Sequence, residues 1–599
     1  MFKGRFAWIA EALGGILLFL LPIKFGTLVS LPSITMIYWS DPISLFIASW
    51  PFPFFPFFSG IFLLISLLLV PGEIFPGKSG LWTGLWGILA LCSLLGGIAG
   101  GCPADAFPYF VNHSFSIGTF LIGFARIVNH NRKIIGVYHG IFSSAFLLTL
   151  LIGLNQYFSG YQETINQIYA QDKEEINGSI LFRLEQMRVT GGFSACNAYA
   201  GYLVLSLPIA LAWLWKMGSR VSPPKVSRIL FTVPVFLAGV FLLVKTGSRG
   251  GVLSLLAAVF MLLYASKMTL KWRCALFSLI PLGIAGITAL VMLGRGGKSI
   301  LFRLDYFQGA FRMMLDSPLY GAGWGGFQRE FMKLKMIYDA EAPASPHNFP
   351  LSMGSQTGFA GFLIACLILF LGGYYLYRYL AKEPLKENLK DDRIFPASAI
   401  AGITAFTVHS LQDILFETPG AIISYGAIVI MTLVLITPEP EQGTPESAGW
   451  QKKLKPVLLC TVLLYCGASL FFAWKVLSFD YALATLNDMV DIRLLSKEEF
   501  ARINMNEVGK AFENAVRKNP DSPYPYLTMS DFYSSRGDVY GALDMSLKAL
   551  KKEPGSAALN MRVFRIMRHM GKKEEAIPYL NRACELAPMN PVYQKERTK

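Results

Sequence analysis

Apolar runs long enough to cross about 30 Å of hydrocarbon recur near residues 6–22, 54–71, 80–99, 114–128, 134–154, 193–215, 228–245, 249–266, 273–293, 357–378, 396–412, 419–437 and 455–477. These thirteen runs predict an all-α, polytopic transmembrane bundle. The Pro-rich stretch Pro51-Phe52-Pro53-Phe54-Phe55-Pro56 predicts a kinked or re-entrant start to the second run, because proline lacks an amide donor and clashes with the preceding turn. The first run carries Glu11 and has no plain small-residue cleavage site, so it reads as a retained helix. Between the ninth and tenth runs, residues 295–355 are too polar for lipid and predict a large loop outside the bilayer.

After the last run the periodicity changes. Pro520, Pro554 and Pro588 are evenly spaced, as are Ala515, Ala549 and Ala583; Gly537 and Gly571 share the interval, as do Ala542 and Ala576. The spacing is that of tetratricopeptide (TPR) repeats, helical hairpins that bury one another's apolar faces in a solenoid. Residues 521–554 and 555–588 form two units, and 498–520 reads as the second helix of a preceding one. The chain then divides into N-terminal membrane helices (1–187), a membrane core with the polar loop (188–437), a linker and last span (438–497), and the repeat domain (498–599). A short solenoid either presents a groove to a protein partner or rigidifies the C-terminus.

Composition agrees with the membrane reading: 53% of residues are hydrophobic and 16% charged, which excludes a water-soluble globule. Cations fix the expected orientation, because Lys and Arg in short loops resist translocation. Lys3 and Arg5; Arg126, Arg132 and Lys133; Lys216, Arg220, Lys225 and Arg228; Lys267, Lys271 and Arg273; Arg378, Lys382, Lys386, Lys390 and Arg393; and Lys452, Lys453 and Lys455 share one side if thirteen helices alternate. That side is the cytoplasm. Residues 155–192, 295–355 and everything beyond 478 are expected on the opposite, extracytoplasmic face. The net charge of +15 largely reflects this bias and gives no reason to invoke nucleic acid. The eight cysteines are scattered, mostly within spans, with no metal-binding spacing; Cys102 and Cys584 could face an oxidising compartment.

Candidate chemistry gathers on that outer face. Arg303 and Arg312 lie in the polar loop, which ends in His347-Asn348, nine residues, then Gly358-Phe359-Ala360-Gly361. Arginines neutralise an anionic leaving group and an imidazole takes a hydroxyl proton, which suits moving a glycan off a lipid pyrophosphate. Arg249, in Ser248-Arg249-Gly250, breaks the orientation pattern. A charge there costs a few kcal/mol unless an anion offsets it, and flanking glycines leave helix amides open to phosphate; the alternative is an arginine snorkelling to lipid head groups. His347 reads either as a catalyst or as a helix-capping surface residue. His409 and Asp413, four apart, could share a helix face and orient each other. His113, His130, His139 and His569 have no supporting context. The outer loops contain no Asp-X-Asp and no His/Glu cluster, so neither metal nor cofactor is expected.

The run Arg188-X-X-Gly191-X-Phe193…Asn197-X-X-Ala200, Ser248-Arg249-Gly250, Asp316-Ser317-Pro318…Gly321-X-Gly323, His347-Asn348-X9-Gly358-X-X-Gly361 and His409…Asp413 together resemble the O-antigen ligase and polymerase superfamily of bacterial membrane glycosyltransferases. The likeness covers residues 188–415. It implies a metal-independent, inverting type C transferase that takes its glycan from a polyprenyl-pyrophosphate donor. It further implies that Arg249 and Arg303 bind the pyrophosphate, Arg188 lines the same pocket, and His347 orients or deprotonates the acceptor hydroxyl. Ser248, Asn197, Asn348, His409 and Asp413 would support them. Cys196 stands where the family's run commonly has proline. The acceptor would be the lipid A core for a ligase in lipopolysaccharide biosynthesis, another lipid-linked repeat unit for a polymerase, or Ser/Thr for a protein O-oligosaccharyltransferase. The non-enzyme alternative is a polysaccharide transporter or a TPR assembly scaffold.

Overall fold

The computed structural model describes residues 6–29, 49–100, 107–161, 187–265, 297–335, 343–382, 391–437, 447–490 and 502–597. They fold into helices joined by turns, with no strand among the described residues. In chain order these are α1 (Ala7–Lys24), α2 (Phe54–Leu69), α3 (Gly77–Ala99), α4 (Phe107–His130), α5 (Ile134–Asn155), α6 (Cys196–Gly218), α7 (Pro224–Lys245), α8 (Arg249–Ala265), α9 (Gly297–Asp316), α10 (Phe327–Leu334), α11 (Phe349–Lys382), α12 (Asp391–Ser410), α13 (Pro419–Ile436) and α14 (Ser447–Val490). Then come α15 (Met505–Lys518), α16 (Tyr524–Ser535), α17 (Val539–Lys552), α18 (Ala557–His569), α19 (Lys573–Leu586) and α20 (Pro591–Arg597). Among the described residues nine helices are long and apolar enough to cross a membrane, and α2, α8 and α12 are shorter apolar helices. Twelve of the thirteen expected spans are therefore apolar helices; the run at 273–293 lies outside the described residues.

Two local expectations are corrected. The Pro-rich run opens α2 and does not break it: Pro53 precedes the helix and Pro56 falls in its first turn, where a missing N–H removes no helical bond. The tenth span begins earlier than its apolar run. Residues 349–357 are already helical, and α11 is bent at Gly358 (φ 77°, ψ −174°).

The bundle closes around α13, which is apolar all round and buried over nearly its whole length, as a central helix must be. Lipid supplies little hydrophobic drive between helices, so small residues set the close contacts. A Cβ on Gly402 of α12 would stand 2.2 Å from the Leu205 carbonyl of α6, so only glycine permits that approach. At one end of the bundle Arg126 caps the end of α2 by donating to the carbonyls of Val70 (2.7 Å) and Glu73. There also Arg132 donates to Thr437 O (2.9 Å) and Gln451 Oε1 accepts from the Ile74 and Phe75 amides (2.8 and 3.1 Å). The opposite end gathers the starts of α6, α8, α11 and α13 and the end of α12.

The helix α14 has 44 residues, about 66 Å at 1.5 Å per residue, roughly twice the hydrocarbon thickness. Its tail runs beyond the bundle, where Ala482, Leu486 and Val490 pack with Val508 and Ala515 of α15 and with Met529 and Phe532 of α16. The segment expected to be a second hairpin helix is α15, and its partner is the tail of the last membrane helix. The following hairpins are α16–α17 and α18–α19; Asp538 and Ser556 cap the starts of α17 and α18 by accepting from Gly541 N (2.9 Å) and Leu559 N (3.4 Å). Arg562 of α18 ties neighbouring hairpins together, donating to Ser546 Oγ (3.2 Å) and Ser530 Oγ (3.0 Å).

Candidate functional site

Asp413 is the centre of the site. It follows α12 in a tight turn, and its side chain is 2% exposed. Arg303 Nη2 of α9 lies 3.6 Å from one carboxylate oxygen and His409 Nε2 4.0 Å from the same oxygen; His347 Nδ1 lies 3.7 Å from the other. These separations are ion-pair contacts, longer than hydrogen bonds. The Ile414 amide donates to Oδ1 at 2.9 Å. Burial alone would raise the Asp413 pKa, but the two imidazoles and that amide outweigh it and hold the carboxyl at about 2. The expectation of His409 and Asp413 on one helix face is corrected: α12 ends at Ser410, and they meet because the following turn folds back.

The second wall is the tight turn between α7 and α8. Ser248 Oγ accepts from Gly251 N at 3.1 Å, capping α8, and lies 3.4 Å from His409 Nε2. Gly250 packs against the same ring, where a Cβ would be 3.2 Å from Cδ2. Arg249, held between these two residues, is exposed. Arg188 lies against Gly247 (φ 65°), donating its Nε–H to Thr246 O at 2.8 Å and an Nη2–H to Asn197 Oδ1 at 3.3 Å. Arg188 thus packs against the glycine turn that carries Arg249. Three guanidinium groups, those of Arg188, Arg249 and Arg303, stand on these adjoining elements, and a guanidinium fork suits an anionic oxygen ligand.

His347 has φ 56°, a left-handed conformation unusual outside glycine. Asn348 holds it there: its Oδ1 accepts from Leu351 N at 3.0 Å, capping α11, and its Nδ2 donates to Leu411 O at 2.9 Å, tying α11 to the Asp413 turn. The Tyr306 ring lies 5.6 Å from the imidazole. Beyond the first helical stretch of α11 comes the bend at Gly358, where its positive φ and the Pro318 carbonyl, 2.5 Å from any Cβ placed there, both demand glycine.

The structure therefore brings together Arg303, His347, His409, Asp413 and Ser248, with Arg249, Asn348 and the Arg188–Asn197 pair on the adjoining turns. Arg312 is exposed on α9, on the side of the helix away from Arg303. His113 and His139 have structural roles, with Nε2 2.7 Å from Phe416 O and 2.9 Å from Ile209 O. Tyr306 and Gln156 were missed by the sequence reading. Gln156, in a one-turn π-helix after α5, accepts from Thr190 N (2.9 Å) and Gly191 N (3.0 Å) and so fixes the segment carrying Arg188. Tyr306 carries no sequence signal beyond its closeness to Arg303, and Gln156, more than thirty residues before Arg188, carries none. Among the described residues no group of three or more His, Cys, Asp or Glu gathers as metal ligands. The six described cysteines are unpaired, and Cys584 is buried.

Residues 234–366 match the family model described as O-antigen ligase. The match takes in Ser248, Arg249, Arg303, His347 and Asn348, whereas Arg188, Asn197, His409 and Asp413 lie outside it. No curated protein matches the chain.

Proposed function

We propose that this protein transfers a glycan from a polyprenyl-pyrophosphate donor to the lipid A core, a reading supported by the match of residues 234–366 to the O-antigen ligase family model. The reaction belongs at the extracytoplasmic face of the bacterial inner membrane. The observation that carries the reading is Asp413 contacting Arg303, His347 and His409 together, with Arg249 exposed alongside. The acceptor hydroxyl attacks the anomeric carbon of the donor sugar. Its proton passes to His347, and the carbon–oxygen bond to the pyrophosphate breaks with its electron pair leaving on the phosphate oxygen. Attack opposite the leaving group inverts the anomeric centre. Asp413 steadies the imidazolium as it forms. Arg249 and Arg303 neutralise the departing pyrophosphate, the part a divalent ion takes in other transferases, and Arg188 lines the same pocket. The C-terminal hairpins serve as a TPR platform for a protein partner.

The test is transfer in membranes carrying His347→Ala or Arg249→Ala, with mass spectrometry of what bears the glycan. Loss of transfer in both variants supports the assignment of these residues, and unchanged transfer overturns it. Glycan on the lipid A core identifies a ligase. A lengthened lipid-linked glycan identifies a polymerase, and a glycoprotein identifies a protein transferase.

A further inference from the structure

Helix α9 carries Arg303 into the site, yet its outward side is not that of a helix surrounded by water. At 3.6 residues per turn its surface divides into three sectors. Inward face Tyr306, Ala310 and Met313, which pack with Phe327 and Phe331 of α10. Outward on one flank are Leu304 (57% exposed), Phe311 (50%) and Leu315 (54%). The other outward flank holds Gln308, Arg312 and Asp316, all exposed. An inward face plus one apolar and one polar outer flank is the pattern of a helix lying flat along a lipid–water boundary.

What covers the apolar flank follows from its continuation. Past the end of α9, Leu319 is 83% exposed, and the Pro318 carbonyl accepts from Phe359 N at 2.8 Å, joining this corner to the bend in α11. From Phe359 the exposed apolar surface runs down α11 through Leu363, Leu367 and Phe370, on a helix long and apolar enough to cross a membrane. The row on α9 is thus the upper edge of the lipid-facing surface, about 17 Å long from Leu304 to Leu315.

We propose that α9 is an interfacial helix, with Leu304, Phe311 and Leu315 immersed among phospholipid acyl chains of the outer leaflet and Gln308 and Arg312 in the head-group layer. The polar loop expected outside the bilayer is then partly within it. Arg303, adjacent in sequence to Leu304, is held at the height of the lipid phosphates, and the bilayer helps fix its position beside Asp413. This inference goes beyond the transfer reaction and does not depend on it.

The experiment places p-benzoylphenylalanine singly at positions 304, 308, 311, 312 and 363 of the full chain, reconstituted in vesicles of phosphatidylethanolamine and phosphatidylglycerol without donor. After irradiation, covalent adducts are identified by mass spectrometry. Position 363, on the transmembrane part of α11, reports that each preparation is folded and inserted. Phospholipid adducts at 304 and 311 matching those at 363, with severalfold less at 308 and 312, are expected. Absence of adducts at 304 and 311 while 363 is labelled overturns the proposal. So does cross-linking of 304 or 311 to a second copy of the chain, which would make the row a protein interface.

Discussion

Replacing Asp413 by Asn isolates the charge at the centre of the cluster while keeping its shape. The fall of the carboxyl pKa from 3.8 to about 2 corresponds to about 2 kcal/mol of stabilisation of the ionised form. If His347 becomes imidazolium in the transition state, losing that charge removes comparable stabilisation, a rate loss of roughly thirtyfold. The substitution also releases Arg303 from its 3.6 Å counter-charge, so donor affinity should hold or rise. The assay is single-turnover transfer from a lipid-linked glycan in nanodiscs, with donor binding measured separately and thermal unfolding as a control for folding. A D413N protein that folds and transfers at the normal rate, or that fails only in donor binding, would refute the reasoning. The pH dependence follows with its sign. The folded pKa is depressed, so the stability contributed by Asp413 is fully present above pH 3.8 and is lost as pH falls towards 2. Any loss of activity between pH 5 and 8 must therefore arise from another group.

Arg249→Ala should weaken donor binding by about 1.5–3 kcal/mol, the worth of a hydrogen bond to a charged group, with Arg249→Lys recovering part of it; titration of a lipid pyrophosphate into the protein measures both. Gly358→Ala should destabilise the protein by about 1–3 kcal/mol because the backbone there is accessible to glycine alone, seen as a lowered melting temperature, and an unchanged melting temperature would contradict the close approach to Pro318. Deleting residues 498–599 should lower acceptor-dependent transfer while leaving donor affinity intact, which paired binding and transfer assays separate. Transfer should persist in excess chelator, measured with the same nanodisc assay; cessation would show that a metal ion shares the work assigned to the arginines.

The spans were legible because hydrocarbon admits only long apolar helices, and the site end was legible because Arg249 opens an apolar run on the expected outer face while Arg303 and His347 lie in the polar loop between two such runs. Asp413 was legible as a neighbour of His409 but not as the group linking it to Arg303 and His347. That convergence depends on the turn after α12 folding back, and on Asn348 bridging to Leu411 from sixty-three positions away. The bend in α11 could not be placed either, since the positive φ of Gly358 and its approach to the Pro318 carbonyl depend on tertiary packing that the sequence does not display. On α9 the overall polarity concealed a lipid-facing flank, because averaged hydropathy discards the angular position of each residue around a helix. The extension of α14 was hidden for a related reason: its apolar run ends where the bilayer does, while the helix continues to Val490.

That continuation has a mechanical consequence. A helix resists bending far more than a loop does, and here one unbroken rod is both a wall of the bundle and the first member of the C-terminal stack. With no flexible joint between membrane and stack, anything gripped by the hairpins is carried at a set elevation and compass bearing above the bilayer. Tilting the rod within the membrane would swing such cargo across the polar loop like the boom of a crane.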